Sequence, residues 1–141
     1  MTATASNEVR REIIERLGLR HPKVLVHGFD RPNISLRVDT FSTKSEKQEA
    51  VLRRVEFADK PGIIYVSTHR NAESIAADLQ ACGVDAVFYH GDLKPKQRDE
   101  IQNRFMNGEV PVIVATNAFG MGVDKPDIRF VYHADVSESL D

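Results

Sequence analysis

Apolar positions along the chain switch between a helical rhythm and a strand rhythm, and the switches predict the elements. Val9, Ile13, Ile14 and Leu17 fall on one helical face. Ser6 before them is a good N-cap and Gly18 after them a plausible C-cap, which predicts a helix over 7–17. Val24 to Phe29 reads as a strand. Ile34, Leu36 and Val38 alternate with Ser35, Arg37 and Asp39, which predicts a half-buried strand. Pro32 makes 30–33 a turn between them, because its ring fixes φ and restricts Arg31. Ser45 with Gln48 predicts a capping box for a helix running to about Phe57, with Ala50, Val51, Val55 and Phe57 facing inward. Pro61-Gly62 breaks it.

From there the rhythm is regular. Ile63 to Val66, Val84 to Tyr89, Val110 to Ala115 and Ile128 to His133 are short β-branched or aromatic runs, the pattern of buried parallel strands. The helix near 70–81 should bury Ala72, Ile75, Ala76 and Leu79, with Ser67 or Thr68 as cap and Gly83 as terminator. Pro95 suits the first turn of a further helix, with Ile101, Phe105 and Met106 toward the core and Asn107-Gly108 closing it. Strands alternating with helices predict an α/β domain of βαβ units with a parallel sheet. Three strand ends then crowd one edge: Ser67-Thr68, His90-Gly91 and Thr116-Asn117. In open α/β sheets that edge is where ligands sit. Ser137 to Asp141 reads as the start of another helix.

Composition adds bounds. A chain of 141 residues suffices for one domain, and 41% hydrophobic with 28% charged residues is ordinary for a globular one. No apolar run reaches the ~20 residues a membrane helix needs. The N-terminus lacks a signal-peptide pattern, and the single cysteine, Cys82, cannot form an internal disulfide, so a cytoplasmic setting is expected. The net charge of −2 does not announce a nucleic-acid binder, so such binding would come from a local patch or from backbone amides. No nucleophile–base pair, paired carboxylates or Cys/His cluster at metal-ligand spacing stands out, so no catalytic and no metal residues are assigned. No Gly-x-x-x-x-Gly-Lys-Ser/Thr loop is present, so the chain lacks the parts to hydrolyse a nucleotide by itself. The polar strand ends suit an extended phosphate backbone instead, since Ser/Thr hydroxyls, loop amides and helix N-termini are standard phosphate donors. The competing reading is that these hydroxyls only cap helices.

Several stretches resemble the second RecA-like lobe of superfamily 2 helicases, and specifically the RecQ family of DNA helicases. Thr2-Ala-Thr-Ala5 resembles the tail of motif III, and Phe29-Asp-Arg-Pro-Asn-Ile34 the interlobe segment. Gly62-Ile-Ile-Tyr-Val-Ser-Thr68 resembles motif IV, and Tyr89-His-Gly-Asp-Leu93 with Gln97-Arg98 the block after it. Val114 to Pro126, with its Ala-Phe-Gly-Met-Gly core, resembles motif V, and Arg129 to His133 its trailing strand. The likeness covers essentially the whole chain. Two positions depart from it. His69 stands where the family has Arg after Ser/Thr, with Arg70 one further on, and Lys94 stands where relatives place a Ser or Thr cap.

The resemblance implies a three-layer, RecA-like parallel-sheet domain. It assigns 1–30 to the tail of a first lobe and 31–141 to a second lobe, incomplete before motif VI, whose Gln-x-x-Gly-Arg-x-Gly-Arg pattern would follow Asp141. It implies a RecQ-like 3′ to 5′ helicase that couples ATP and Mg²⁺ to translocation on single-stranded DNA and to unwinding of forked DNA. The main ATP- and Mg²⁺-binding elements, and the partner first lobe, lie outside this chain, and the chain alone is expected to be inactive. The resemblance assigns Thr68, Arg70, Gly91, Thr116 and Asn117 to DNA, and Gly122 and Asp124 to the nucleotide side. Asp124 could instead shape a turn or pair with Lys125. Phe119 and Met121 read as packing, His90 and His133 as structural, and Tyr65 and Tyr89 as core. Other readings are a DEAD-box-like RNA helicase lobe, disfavoured by the Phe-Asp-Arg-Pro-Asn and Ala-Phe-Gly-Met-Gly blocks, and a stand-alone flavodoxin-like binding domain.

Overall fold

A computed structural model describes residues 6–24, 31–120 and 123–135. The chain divides into two compact units, 1–38 and 39–140.

In the first unit, helix α1 spans Asn7–Arg16. The Ser6 hydroxyl accepts from the Val9 N–H at 3.3 Å, as the sequence predicts. The helix has no buried residue, and Leu17 is 67% exposed. The predicted strand over 34–38 does not form. Ile34 is half exposed, and Leu36 and Val38 are about nine-tenths exposed. Alternation needs a neighbouring strand to become a ladder, and no described residue pairs with this segment. Of the predicted strand at 24–29, Val24 is exposed and the rest lies outside the described residues.

In the second unit, α2 runs Lys44–Phe57. Its cap is Thr43, two residues before the predicted Ser45. The Thr43 hydroxyl accepts from the Glu46 N–H at 3.1 Å, and the Glu46 carboxylate accepts from the Ser42 N–H at 3.1 Å. Glu46 at the third helical position completes this reciprocal arrangement better than Gln48, because its charge also favours a helix N-terminus. Val51 and Val55 are buried, but Phe57 is 81% exposed: it sits on the last turn, two positions past the stripe that meets the sheet.

Four parallel strands follow: β1 Gly62–Tyr65, β2 Ala86–Tyr89, β3 Val112–Ala115 and β4 Phe130–His133, in the order β2-β3-β1-β4. Gly62 pairs with Val112 and Phe130, and Ala86 with Val112, so all four share one four-residue register. The last three strands begin two residues later than predicted, and the first one residue earlier; Val84 and Val110 are buried but lie ahead of the paired residues. Helix α3, His69–Ala81, is capped by Thr68 and buries Ala72, Ile75, Ala76 and Leu79, the predicted residues. Helix α4, Pro95–Met106, starts with proline at its first turn. Lys94 cannot accept from the helix amides, but the Gln97 side chain accepts from the Lys94 N–H at 3.1 Å.

Alternation along the strands makes two cores. Ile64, Val66, Val112, Val114 and Ala86 pack with α2 and α3 on one face. Ile63, Ile113, Ala115 and Tyr89 pack with Phe105 of α4 and with Phe119 on the other. Both faces of the sheet are covered over β1, β2 and β3, whose residues are near-continuously apolar, while edge strand β4 leaves Val131 46% exposed. The result is the expected three-layer α/β domain. At Gly62 any Cβ would run into the Phe130 ring of the neighbouring strand, so only glycine lets that ring lie across β1.

Candidate functional site

All four strands end on one edge, in the lateral order His90-Gly91-Asp92, Thr116-Asn117, Ser67-Thr68, Ala134-Asp135. Ladder hydrogen bonds carry on one residue past the strands. Thr116 N–H donates to Tyr89 C=O at 3.1 Å, Val66 N–H to Ala115 C=O at 2.9 Å, and Ala134 N–H to Tyr65 C=O at 2.9 Å. The edge is therefore a hydrogen-bonded platform from which loops leave.

Thr68 is exposed, and its hydroxyl accepts from the Asn71 N–H at 3.1 Å. The capping reading of this residue therefore holds, and the hydroxyl can still donate outward. Arg70, Gly91 and Asn117 are exposed on the same edge. Thr116 is only 4% exposed, so its position offers a ligand far less surface than Asn117 beside it. Phe119 turns back into the core, edge-on to Tyr89 and Phe105 at centroid distances of 5.0 and 5.9 Å. Gly120 adopts φ 120°, a region L side chains rarely enter. The Tyr65 hydroxyl donates to the Phe119 carbonyl at 3.3 Å, and partial burial pushes its phenol pKa up. This pins the loop after β3 to β1. Met121 and Gly122 lie outside the described residues. Asp124 is exposed, and the partner of Lys125 is Asp127 at 3.0 Å, with Lys125 Nζ also donating to the Met106 carbonyl.

The structure adds a hub that periodicity did not reveal. Asp135, at the end of β4, accepts from the Ser67 N–H at 2.8 Å, the Ser67 hydroxyl at 2.9 Å and Asn71 Nδ2 at 3.2 Å. Its other oxygen accepts from Lys47 Nζ at 2.8 Å. Partial burial pushes this carboxyl pKa up, but the hydrogen bonds from Lys47, Ser67 and Asn71 outweigh it and hold the group well below the usual carboxylate range. One side chain thus ties the ends of β1 and β4 to α2 and α3. The only signal in the sequence was position: an acid one residue past a predicted strand, on the ligand edge. A second missed group lies at the end of β2, where His69 Nδ1 meets Asp92 at 2.7 Å and His90 Nε2 meets Glu73 at 3.0 Å.

Comparison with known proteins gives this edge a context. The helicase conserved C-terminal domain family matches residues 46–141. Over the whole chain, identity is 41% to the ATP-dependent helicase SGS1 of Saccharomyces cerevisiae, covering 10% of that protein. It is 39% to the probable ATP-dependent DNA helicase RecS of Bacillus subtilis, covering 29%, and 39% to the ATP-dependent DNA helicase RecQ of Pasteurella multocida, covering 22%. The chain thus spans less than a third of each of these relatives. Among solved structures, the C-terminal domain of the DEAD-box protein Dbp5 is 25% identical with a TM-score of 0.60, over 68% of this chain and 54% of that one. The RNA helicase Prp28 of Chaetomium thermophilum is 26% identical with a TM-score of 0.65, over 99% of this chain and 34% of that one. The family match, the RecA-like neighbours and the motif-bearing edge agree: the chain belongs to the helicase conserved C-terminal domain family, in a form similar along its whole length to RecQ-type helicases.

Proposed function

We propose that this chain acts as the second motor lobe of a RecQ-type DNA helicase. In that role it would couple ATP binding and hydrolysis to 3′ to 5′ movement along single-stranded DNA and to the opening of forked duplex. The carrying observation is that the strands of the segments resembling motifs IV and V end side by side on one edge, with Thr68, Arg70, Gly91 and Asn117 exposed there. In this reading Thr68, Arg70, the Gly91 amide, Thr116 and Asn117 hold DNA phosphates. Such contacts carry no base information, so binding would be sequence-independent and salt-sensitive. Gly122 and Asp124 face the nucleotide, and the loop after β3 links the two ligands.

The described residues do not fit ATP phosphates with Mg²⁺, because the chain has no Gly-Lys-Ser/Thr loop, and Asp124 is a ribose contact at most. Those elements, in this proposal, belong to a first RecA-like lobe, and closure of the two lobes drives movement. The stronger sequence likeness to RecQ-type proteins than to the DEAD-box structures favours DNA over RNA as substrate. The test is DNA-stimulated ATPase of the parent helicase carrying Thr116→Ala or Asn117→Ala. A loss of about tenfold in the DNA concentration dependence is expected for at least one, since removing a hydrogen bond to a charged group costs on the order of 1.5–3 kcal/mol. Unchanged stimulation in both sinks the assignment of this loop to DNA.

A further inference from the structure

The loop after β2 and the first turn of α3 bring together three metal-ligating side chains that lie up to 23 residues apart in the chain. One ring nitrogen of His69, one of His90 and one carboxylate oxygen of Asp92 fall within 4.8 Å of one another. We infer that these residues form a binding site for a borderline divalent cation of the zinc class. Two imidazoles and a carboxylate are a donor set that such ions accept, with a fourth position left to water.

The second observation is the state of His90. Its side chain is 6% exposed, and its ring stacks on those of Phe88 and His69. Its Nε2 is committed to Glu73 at 3.0 Å, while its buried Nδ1 has no hydrogen-bond partner among the described residues. A neutral imidazole that donates through Nε2–H presents a lone pair at Nδ1. A buried acceptor left without a donor is costly, and a cation satisfies it. A carboxylate on the opposite ring nitrogen is also the usual support of a metal-bound histidine, because it fixes the tautomer and raises ligand basicity. The charges balance: Asp92 and Glu73 bring two negative charges to a dication, and both histidines bind neutral.

Binding would change the local geometry in a defined way. The His69 Nδ1 to Asp92 distance of 2.7 Å is that of a direct hydrogen bond. Two ligands at about 2.0–2.1 Å from a tetrahedral ion sit roughly 3.3 Å apart, so this pair opens by roughly 0.6 Å and the shared proton passes to His69 Nε2, which frees Nδ1 to ligate. The two rings now stack at 4.5 Å and 14°, and stacked rings do not aim their lone pairs at one point. The buried His90 is held by Glu73, so the partly exposed His69 ring is the one that swings. A bound ion would then clamp the Gly91 loop to the start of α3. The inference does not depend on the helicase reading.

The experiment is calorimetric titration of the untagged 141-residue chain with zinc chloride, with cobalt(II) absorption as a second readout. One ion per chain is expected. His69→Gln and Asp92→Asn, both at exposed or half-exposed positions, should each weaken binding by about tenfold or more. Zinc should raise the Tm of the wild-type chain by more than that of Asp92→Asn. His21→Gln and Cys82→Ser should bind as wild type; Cys82 is exposed and is the obvious adventitious ligand. The inference is overturned if no saturable binding occurs at millimolar zinc, if His69→Gln and Asp92→Asn keep full affinity, or if Cys82→Ser abolishes binding.

Discussion

Replacing Asp135 tests how the ligand edge is held together. In the wild-type chain its side chain is 18% exposed and receives four hydrogen bonds, from Ser67 twice, from Asn71 and from Lys47. Hydrogen bonds to a charged group contribute on the order of 1.5–3 kcal/mol each when isolated. They are not additive here, and the one-third exposed Lys47 is partly screened by water. Asp135→Ala is therefore expected to cost about 2–4 kcal/mol, much of it from the Ser67 amide and the Lys47 ammonium left without their acceptor. In a domain of about 100 residues each kcal/mol lowers Tm by roughly 4–8 °C, so a fall of roughly 8–30 °C follows. Asp135→Asn keeps the volume but turns an NH₂ toward one of the donors, so it should not rescue the loss. The pH dependence has a definite sign. The folded-state carboxyl pKa is depressed, so its contribution is complete above the unfolded value of about 3.9 and is lost as pH falls toward the folded value. With the folded group still ionised, the linkage relation gives a loss of about 1.3 kcal/mol by pH 3. Urea unfolding followed by circular dichroism, for wild type, Ala and Asn variants between pH 7 and pH 3, measures both quantities. A cost under about 0.5 kcal/mol at pH 7 would place the contact among ordinary surface ion pairs. A wild-type-to-Asn gap that stays constant down to pH 3 would refute the charge argument even if the cost at pH 7 were large.

Other expectations follow from single contacts. Gly62→Ala should lower stability by about 1–3 kcal/mol, since the new methyl displaces the Phe130 ring from its stack on Tyr132; a Tm within experimental error of wild type would show that the ring simply swings aside. Leu36→Ser and Val38→Ser should change the stability of this chain by no more than about 0.5 kcal/mol, because both side chains are almost fully exposed, and a larger loss would mean that the segment is buried in solution. The purified 141-residue chain should hydrolyse no ATP above a mock preparation, yet bind single-stranded DNA weakly, with affinity falling as salt rises.

The sequence by itself determined the local layer of this protein. Helix α3 and its four buried residues follow from spacing, because a helical stripe is a property of consecutive residues. The parallel sheet follows from the alternation of apolar runs with helices, and the polar strand ends from where those runs stop. Motif likeness added the family. What local pattern could not decide was whether a segment finds a partner. The stretch at 34–38 alternates as a strand should but forms none, and Phe57, the last apolar residue of α2, is exposed. Thr43 took the cap from Ser45 through a contact with Glu46 that periodicity does not encode. Sheet order is likewise a long-range choice, and it is what sets the loops after β2, β3, β1 and β4 in a row. Only that order brings Asp135 within hydrogen-bond reach of Ser67, 68 residues earlier, and His69 onto Asp92, 23 residues later. Charge pairing and metal-ligand geometry depend on separations of a few ångströms in space, and separation along the chain carries almost no information about them.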